Sequence, residues 1–92
     1  MTKEESEKYL AEVLGWKIAE DGRKISKTFE KEDFASALSF VNEIGRIAEE
    51  EGHHPDVHLT SYKMVTVELW THAIGGLSEN DFILAAKINA IG

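Results

Sequence analysis

Two of the chain's four histidines are adjacent, in the run Glu49-Glu50-Glu51-Gly52-His53-His54-Pro55, and a third, His72, follows Thr71. Imidazole is the side chain whose ordinary pKa lies near neutrality, so it can give or take a proton at physiological pH. A pair at a helix-to-strand junction, stiffened by Pro55, could be aimed into a cleft. Three imidazoles near carboxylates also raise the question of zinc. Neighbouring side chains in an extended segment point to opposite faces, so His53 and His54 could not easily share an ion. No HExxH and no cysteine is present. The reading is therefore metal-free acid–base chemistry, with a metal-dependent hydrolase as a competing one. His58 falls within an expected strand and reads as a solvated or packed position. No Gly-rich phosphate loop and no GxSxG occurs, and the acidic run 49–51 reads as a solvated helix end. Trp16 and Trp70 are, by default, packing residues of a sheet.

The elements that must carry these residues follow from periodicity. Thr2 and Glu5 have capping-box spacing, Tyr9, Leu10, Val13 and Leu14 form an apolar stripe, and Gly15 marks an end, predicting a helix over about 3–14. Segments 16–20 and 24–29 alternate around Asp21-Gly22, a hairpin signature. Phe34, Ala37, Leu38, Val41, Ile44, Gly45 and Ala48 recur at helical steps, predicting the longest helix over about 32–51. Val57 and Leu59, then Val65, Val67 and Leu69, alternate around a Ser61–Lys63 bend as a second hairpin, with His72 ending its last strand. After a glycine-bearing loop, 73–77, Ser78 and Asp81 mark the start of a final helix carrying Phe82, Ile83, Ala86 and Ile91.

The order α-β-β-α-β-β-α predicts an α+β domain over residues 1–92, with one four-stranded antiparallel sheet and the helices packed on one face. In the second hairpin the start of one strand lies beside the end of the other, which should bring His53 and His54 towards His72. Net charge is −7 without a basic stripe, which excludes a phosphate-tracking nucleic-acid surface. The charged start and the lack of a long apolar run predict no membrane association and a cytoplasmic location. Small size and open strand edges predict a homodimer or homotetramer.

Glu49, His53-His54-Pro55, Tyr62, Thr71-His72, Gly76-Leu77-Ser78 and Asp81 together resemble the signature of the pterin-4a-carbinolamine dehydratases. The similarity extends to Gly15-Trp16 and to Phe29 and Phe34, nearly the whole chain. It implies the same α+β fold, no cofactor or metal, and dehydration of 4a-hydroxytetrahydropterin to the quinonoid dihydropterin. His53 and His72 would then be proton-transfer groups and His54 would orient the substrate. Pro55 would shape the pocket, Trp16 would flank the pterin, Asp81 would order the loop after His72, and Glu49 and Thr71 would belong to the same substrate site. Gly52 stands where many relatives have an acidic or amide residue, and Asn80 where some have arginine. Those departures leave the pterin's side chain open. Since some relatives also stabilise dimers of a transcription factor, a protein-binding, coactivator-like module is the alternative reading.

Overall fold

Alternation in the strands divides one sheet into two chemically unlike faces, and everything else in the fold follows from covering the apolar one. The computed structural model describes residues 1–92. Its elements are α1 (Lys3–Leu10), β1 (Lys17–Ile18), β2 (Ile25–Glu30), α2 (Phe34–Glu51), β3 (Asp56–Thr60), β4 (Met64–Leu69), a 3-10 turn (His72–Ile74) and α3 (Glu79–Ile91). The strands lie in the order β1-β2-β4-β3, every neighbouring pair antiparallel. This is the expected α+β arrangement.

Register sets the layers. Ile25 faces Leu69, Phe29 faces Val65, and Val57 and Leu59 face Val67 and Val65, so these side chains share one surface. Against it lie Ala37, Phe40, Ile44 and Ile47 of α2 and Phe82, Leu84, Ala85 and Ile88 of α3, in one core. Ile25, Ile44, Val65, Val67, Leu69, Leu84 and Ile88 are fully buried, each worth on the order of 1.5–3 kcal/mol of apolar burial before entropy is charged against it. The other face carries Thr28, Thr66, His58 and Glu68, with a hydroxyl pair Thr28–Thr66 at 2.8 Å. Polar residues there match the period-two alternation, since that face has no helix over it.

Three boundaries differ from the sequence expectation, each for a physical reason. The first helix stops at Leu10, not near residue 14, and the chain continues through tight turns (Glu12 N to Tyr9 O, 3.0 Å; Val13 N to Leu10 O, 3.2 Å). It is pulled over because Lys27 Nζ (2.9 Å) and Asn89 Nδ2 (3.1 Å) both donate to Leu14 O, and Gly15 turns back at φ +84°. Lys27 occupies a core-facing strand position and carries its ammonium out along Phe29 to the edge. The first strand shrinks to two residues, because Trp16 is taken into the core and Ala19 already enters the turn. The last strand ends at Leu69, so His72 does not terminate it. Instead Thr71 bridges Gly76, and Gly75 at φ +60° closes a compact loop in which Thr71 N donates to Gly76 O at 2.8 Å.

Candidate active site

The helix α2 ends in a way that determines where the histidine pair points. Gly52 adopts φ +63°, its N–H reaches Glu49 O (3.3 Å), and the N–H of His53 reaches Ala48 O (3.1 Å). These two bonds make a Schellman closure, which reverses the chain and satisfies two terminal carbonyls. Glycine suits that left-handed position; open space surrounds the place of a Cβ, so the constraint is backbone rather than crowding. Pro55 then holds the chain extended into β3.

The last ladder pair between β3 and β4 is Asp56 with Glu68. The same register carried past that pair sets Pro55 against Leu69, His54 against Trp70 and His53 against Thr71. Adjacent side chains diverge, as expected. His53 turns inward, its Nε2 2.6 Å from Asp81 Oδ1, while His54 turns outward to Glu49 Oε2 at 2.7 Å. The first pair is enclosed, with His53 at 15% exposure and Asp81 at 0%; the second is open, at 64% and 78%. An ion pair so exposed contributes little to stability. No three His, Cys, Asp or Glu side chains converge in the manner of a metal site.

Asp81 is the centre of the constellation. Its Oδ2 accepts from Thr71 Oγ1 (2.9 Å) and from the backbone N–H of Ser78 (2.9 Å) at the start of α3. Thr71 Oγ1 also lies 2.6 Å from Ser78 Oγ. A carboxylate can only accept, so His53 must donate through Nε2 and Thr71 through its single hydroxyl proton. That leaves Ser78 as the donor to Thr71. Every buried side-chain polar atom in the chain has a partner, which is what makes a buried acid tolerable. Asp81 thus caps α3 through Oδ2 and holds His53 through Oδ1.

His72 opens the 3-10 turn beside this group, and its ring lies 4.5 Å from that of Trp70, inclined by 35°. Lys24 Nζ sits 4.9 Å from the Trp70 ring centre and 3.5 Å from Glu68 Oε2. His58 belongs to the open sheet face and pairs with Glu68 at 2.8 Å. Its hydrogen bond, helped by the charge of Lys24, holds the Glu68 carboxyl below the usual range against the opposing effect of burial. Trp16 is buried, its N–H bonded to Asn89 Oδ1 at 3.0 Å and its ring edge-on to Phe29, so its contacts involve none of the histidines.

A cleft of ≈ 190 Å³ lies against His53, walled by Gly52, Glu51, Asn80, Ile83 and Leu84. A larger hollow of ≈ 590 Å³, between the start of α2 and Ile91, contains no imidazole and lies apart from this chemistry. Asn80, singled out in the sequence as a departure, lines this cleft beside His53. Sequence reasoning missed Trp70 as a neighbour of His72, although two-residue spacing along an extended segment was a usable signal. It also missed the Ser78 hydroxyl, whose capping role concealed its contact with Thr71.

Comparison with known proteins concerns the chain as a whole. Residues 1–91 match the sequence model of the family described as pterin 4 alpha carbinolamine dehydratase. The chain is 47% identical over 99% of its length to pterin-4-alpha-carbinolamine dehydratase 2, mitochondrial, of Arabidopsis thaliana, and spans 50% of that protein. A putative pterin-4-alpha-carbinolamine dehydratase of Halorhodospira halophila is 46% identical over the whole chain, which covers 84% of it. Among solved structures, one from Brucella melitensis described as a transcriptional coactivator/pterin dehydratase superposes with a TM-score of 0.92 at 33% identity, covering 99% of this chain and 96% of that one. These likenesses, which extend over nearly the whole chain, place it in the pterin 4 alpha carbinolamine dehydratase family.

Proposed function

We propose that this chain removes water from a pterin-4a-carbinolamine, 4a-hydroxytetrahydrobiopterin or a close relative, to give the quinonoid dihydropterin. The observation that carries the reading is the enclosed His53–Asp81 contact at 2.6 Å beside the loop bearing His72. In the reaction the C4a–O bond breaks as the departing oxygen gains a proton, while a ring nitrogen supplies its electron pair to C4a and a ring N–H proton is lost. The products are water and the quinonoid pterin. One acid and one base suffice, each worth roughly 10²–10⁴-fold when well placed. His53 and His72 take these two roles, and with Nε2 of His53 committed to Asp81, its proton exchange falls to Nδ1. His54, on the solvent side with Glu49, orients the substrate. Pro55 shapes the pocket and Thr71 steadies Asp81. The diverging directions of His53 and His54 support proton transfer between side chains without a shared ion.

A second copy of the chain is the partner this proposal adds. Phe34 and Leu38 leave 51% and 45% of their surface exposed on one side of α2, and β3 is an open sheet edge. Light scattering should give a dimer or tetramer mass; a monomer at micromolar concentration would remove this part. Cytoplasmic residence also belongs to the proposal, although the Arabidopsis relative is described as mitochondrial. A coactivator-like binding role is the second reading, favoured by the description of the Brucella structure.

The activity is tested by following, in the ultraviolet, dehydration of freshly generated carbinolamine with the uncatalysed rate subtracted. His53→Ala and His72→Ala should each lose on the order of 10²-fold or more, and His58→Ala should match the unmodified protein. Equal behaviour of all three would overturn the site assignment.

A further inference from the structure

Three of the four histidines are tied to carboxylates: His53 to Asp81 at 2.6 Å, His54 to Glu49 at 2.7 Å and His58 to Glu68 at 2.8 Å. His72 stands outside these pairs. Its neighbour is Trp70, with ring centres 4.5 Å apart and ring planes inclined by 35°. We propose that Trp70 is a positioning residue for His72, and that Lys24 holds the indole in place. This rests on the proton-transfer role given to His72 above.

The chemistry distinguishes an indole from a carboxylate as an orienting partner. A carboxylate consumes one ring nitrogen of the imidazole it holds, as Asp81 does with His53. An aromatic neighbour restrains the ring by packing against it and takes up no nitrogen. His72 therefore keeps both Nδ1 and Nε2 for substrate and solvent while its ring plane is limited. That combination suits a group on an exposed 3-10 turn that must exchange protons at every turnover.

The restraint is itself anchored. Trp70 is half-buried just beyond β4, and the β2–β4 register carried one step past Ile25–Leu69 sets Lys24 beside it. Lys24 Nζ lies 4.9 Å from the indole centre, a cation–π distance, and 3.5 Å from Glu68 Oε2. Glu68, Lys24, Trp70 and His72 thus form one continuous line from the polar face of the sheet to the loop. Misplacing a reacting group by about 1 Å can cost up to 10²-fold in rate, so loss of this line should be read in turnover.

The test compares Trp70→Leu, Trp70→Phe and Lys24→Gln by steady-state kinetics and by proton NMR of the His72 ring, assigned by its absence in His72→Gln. In the unmodified protein the indole ring current should move the His72 ring protons upfield. Trp70→Leu should abolish that shift and lower kcat roughly 10-fold with KM held within about twofold, and Trp70→Phe should restore most of both. Lys24→Gln should act in the same direction more weakly. Unshifted His72 protons in the unmodified protein, or Trp70→Leu with normal kcat while His72→Ala is inactive, would overturn the inference. A rise in KM at constant kcat would do so too, by making Trp70 a substrate contact. Full activity in His72→Ala would instead overturn the proton-transfer role of His72, and with it the purpose of the stack, while the NMR shift reports the stack itself.

Discussion

His53 Nε2 and Asp81 Oδ1 are 2.6 Å apart although the two residues are separated by 28 positions, and the carboxylate is wholly buried while the imidazole reaches solvent. The contact joins the end of α2 to the start of α3. It does so beside the site, so a change at Asp81 is felt in both stability and catalysis.

Asp81→Asn keeps the shape but replaces a two-oxygen acceptor with one oxygen and an NH₂ donor. The three donors that now converge on it, His53 Nε2, Thr71 Oγ1 and Ser78 N, can all be met only if His53 shifts its proton to Nδ1 and accepts at Nε2; otherwise one loses its partner. Turnover should fall by about 10–10²-fold, and stability by about 1–3 kcal/mol for the donor left unsatisfied. Thr71→Val, which removes one donor with its bond, should cost less than Asp81→Asn in both. Paired kinetic and urea-unfolding measurements check the order; equal losses would show that Asp81 is only a helix cap.

Gly52 offers a cleaner separation of backbone from site. Its φ of +63° penalises a Cβ, while the space around it is open. Gly52→Ala should therefore cost about 1 kcal/mol, and Gly52→Asn less, since asparagine enters the left-handed region more readily. Both variants should keep turnover at saturation if the Schellman closure re-forms. Thermal unfolding ranks them, and a ranking with Asn below Ala would contradict the backbone account.

How much of this was readable beforehand depended on the range of the interaction involved. The helix running to Glu51 and the alternation around Val65, Val67 and Leu69 are local patterns, and the structure has both elements there, but the buried face of α2 runs through Ala37, Phe40, Ile44, Ile47 and Ala48 and leaves Phe34, Leu38 and Gly45 of the expected face outside the core. The end of α1 was not local: Val13 lies in the core as the stripe implied, but Lys27 and Asn89, distant in sequence, pull Leu14 O out of the helix. Within the site, hairpin logic was enough to bring His53 level with Thr71. It could not supply the direction of each ring. Asp81 read as the start of a helix because capping spacing is visible along the chain, and as a loop-ordering residue only through the resemblance, whereas its contact with His53 depends on how α3 packs on the end of α2.

Asp33 provides a pH test with a determined sign. As N-cap of α2, its side chain accepts from Ser36 N at 2.8 Å, and that bond holds its carboxyl below the ordinary value. A depressed folded-state pKa means stability that is fully present above the unfolded value and is lost as pH falls through the folded one. Asp33→Ala should thus lower Tm at neutral pH, and the gap from the unmodified protein should narrow steadily in acid below about pH 4. A gap that stays constant down to the lowest pH at which the fold survives would show that ionisation of Asp33 is not what stabilises α2.

The last prediction concerns the rate itself. If one imidazole must carry a proton and another must lack one, kcat/KM passes through a maximum, falling in acid as the base is protonated and in alkali as the acid is lost. Replacing the acid histidine should flatten the alkaline limb, where its proton would otherwise be lost. Replacing the base should flatten the acidic limb. Chelator should leave both limbs in place, because the protons move between side chains and substrate. Profiles are compared for the unmodified protein, His53→Ala and His72→Ala after subtraction of the uncatalysed reaction. Two variants with the same residual limbs would mean that the histidines do not divide the roles of acid and base. Activity abolished by chelator and restored by zinc would replace side-chain proton transfer with a metal-bound water.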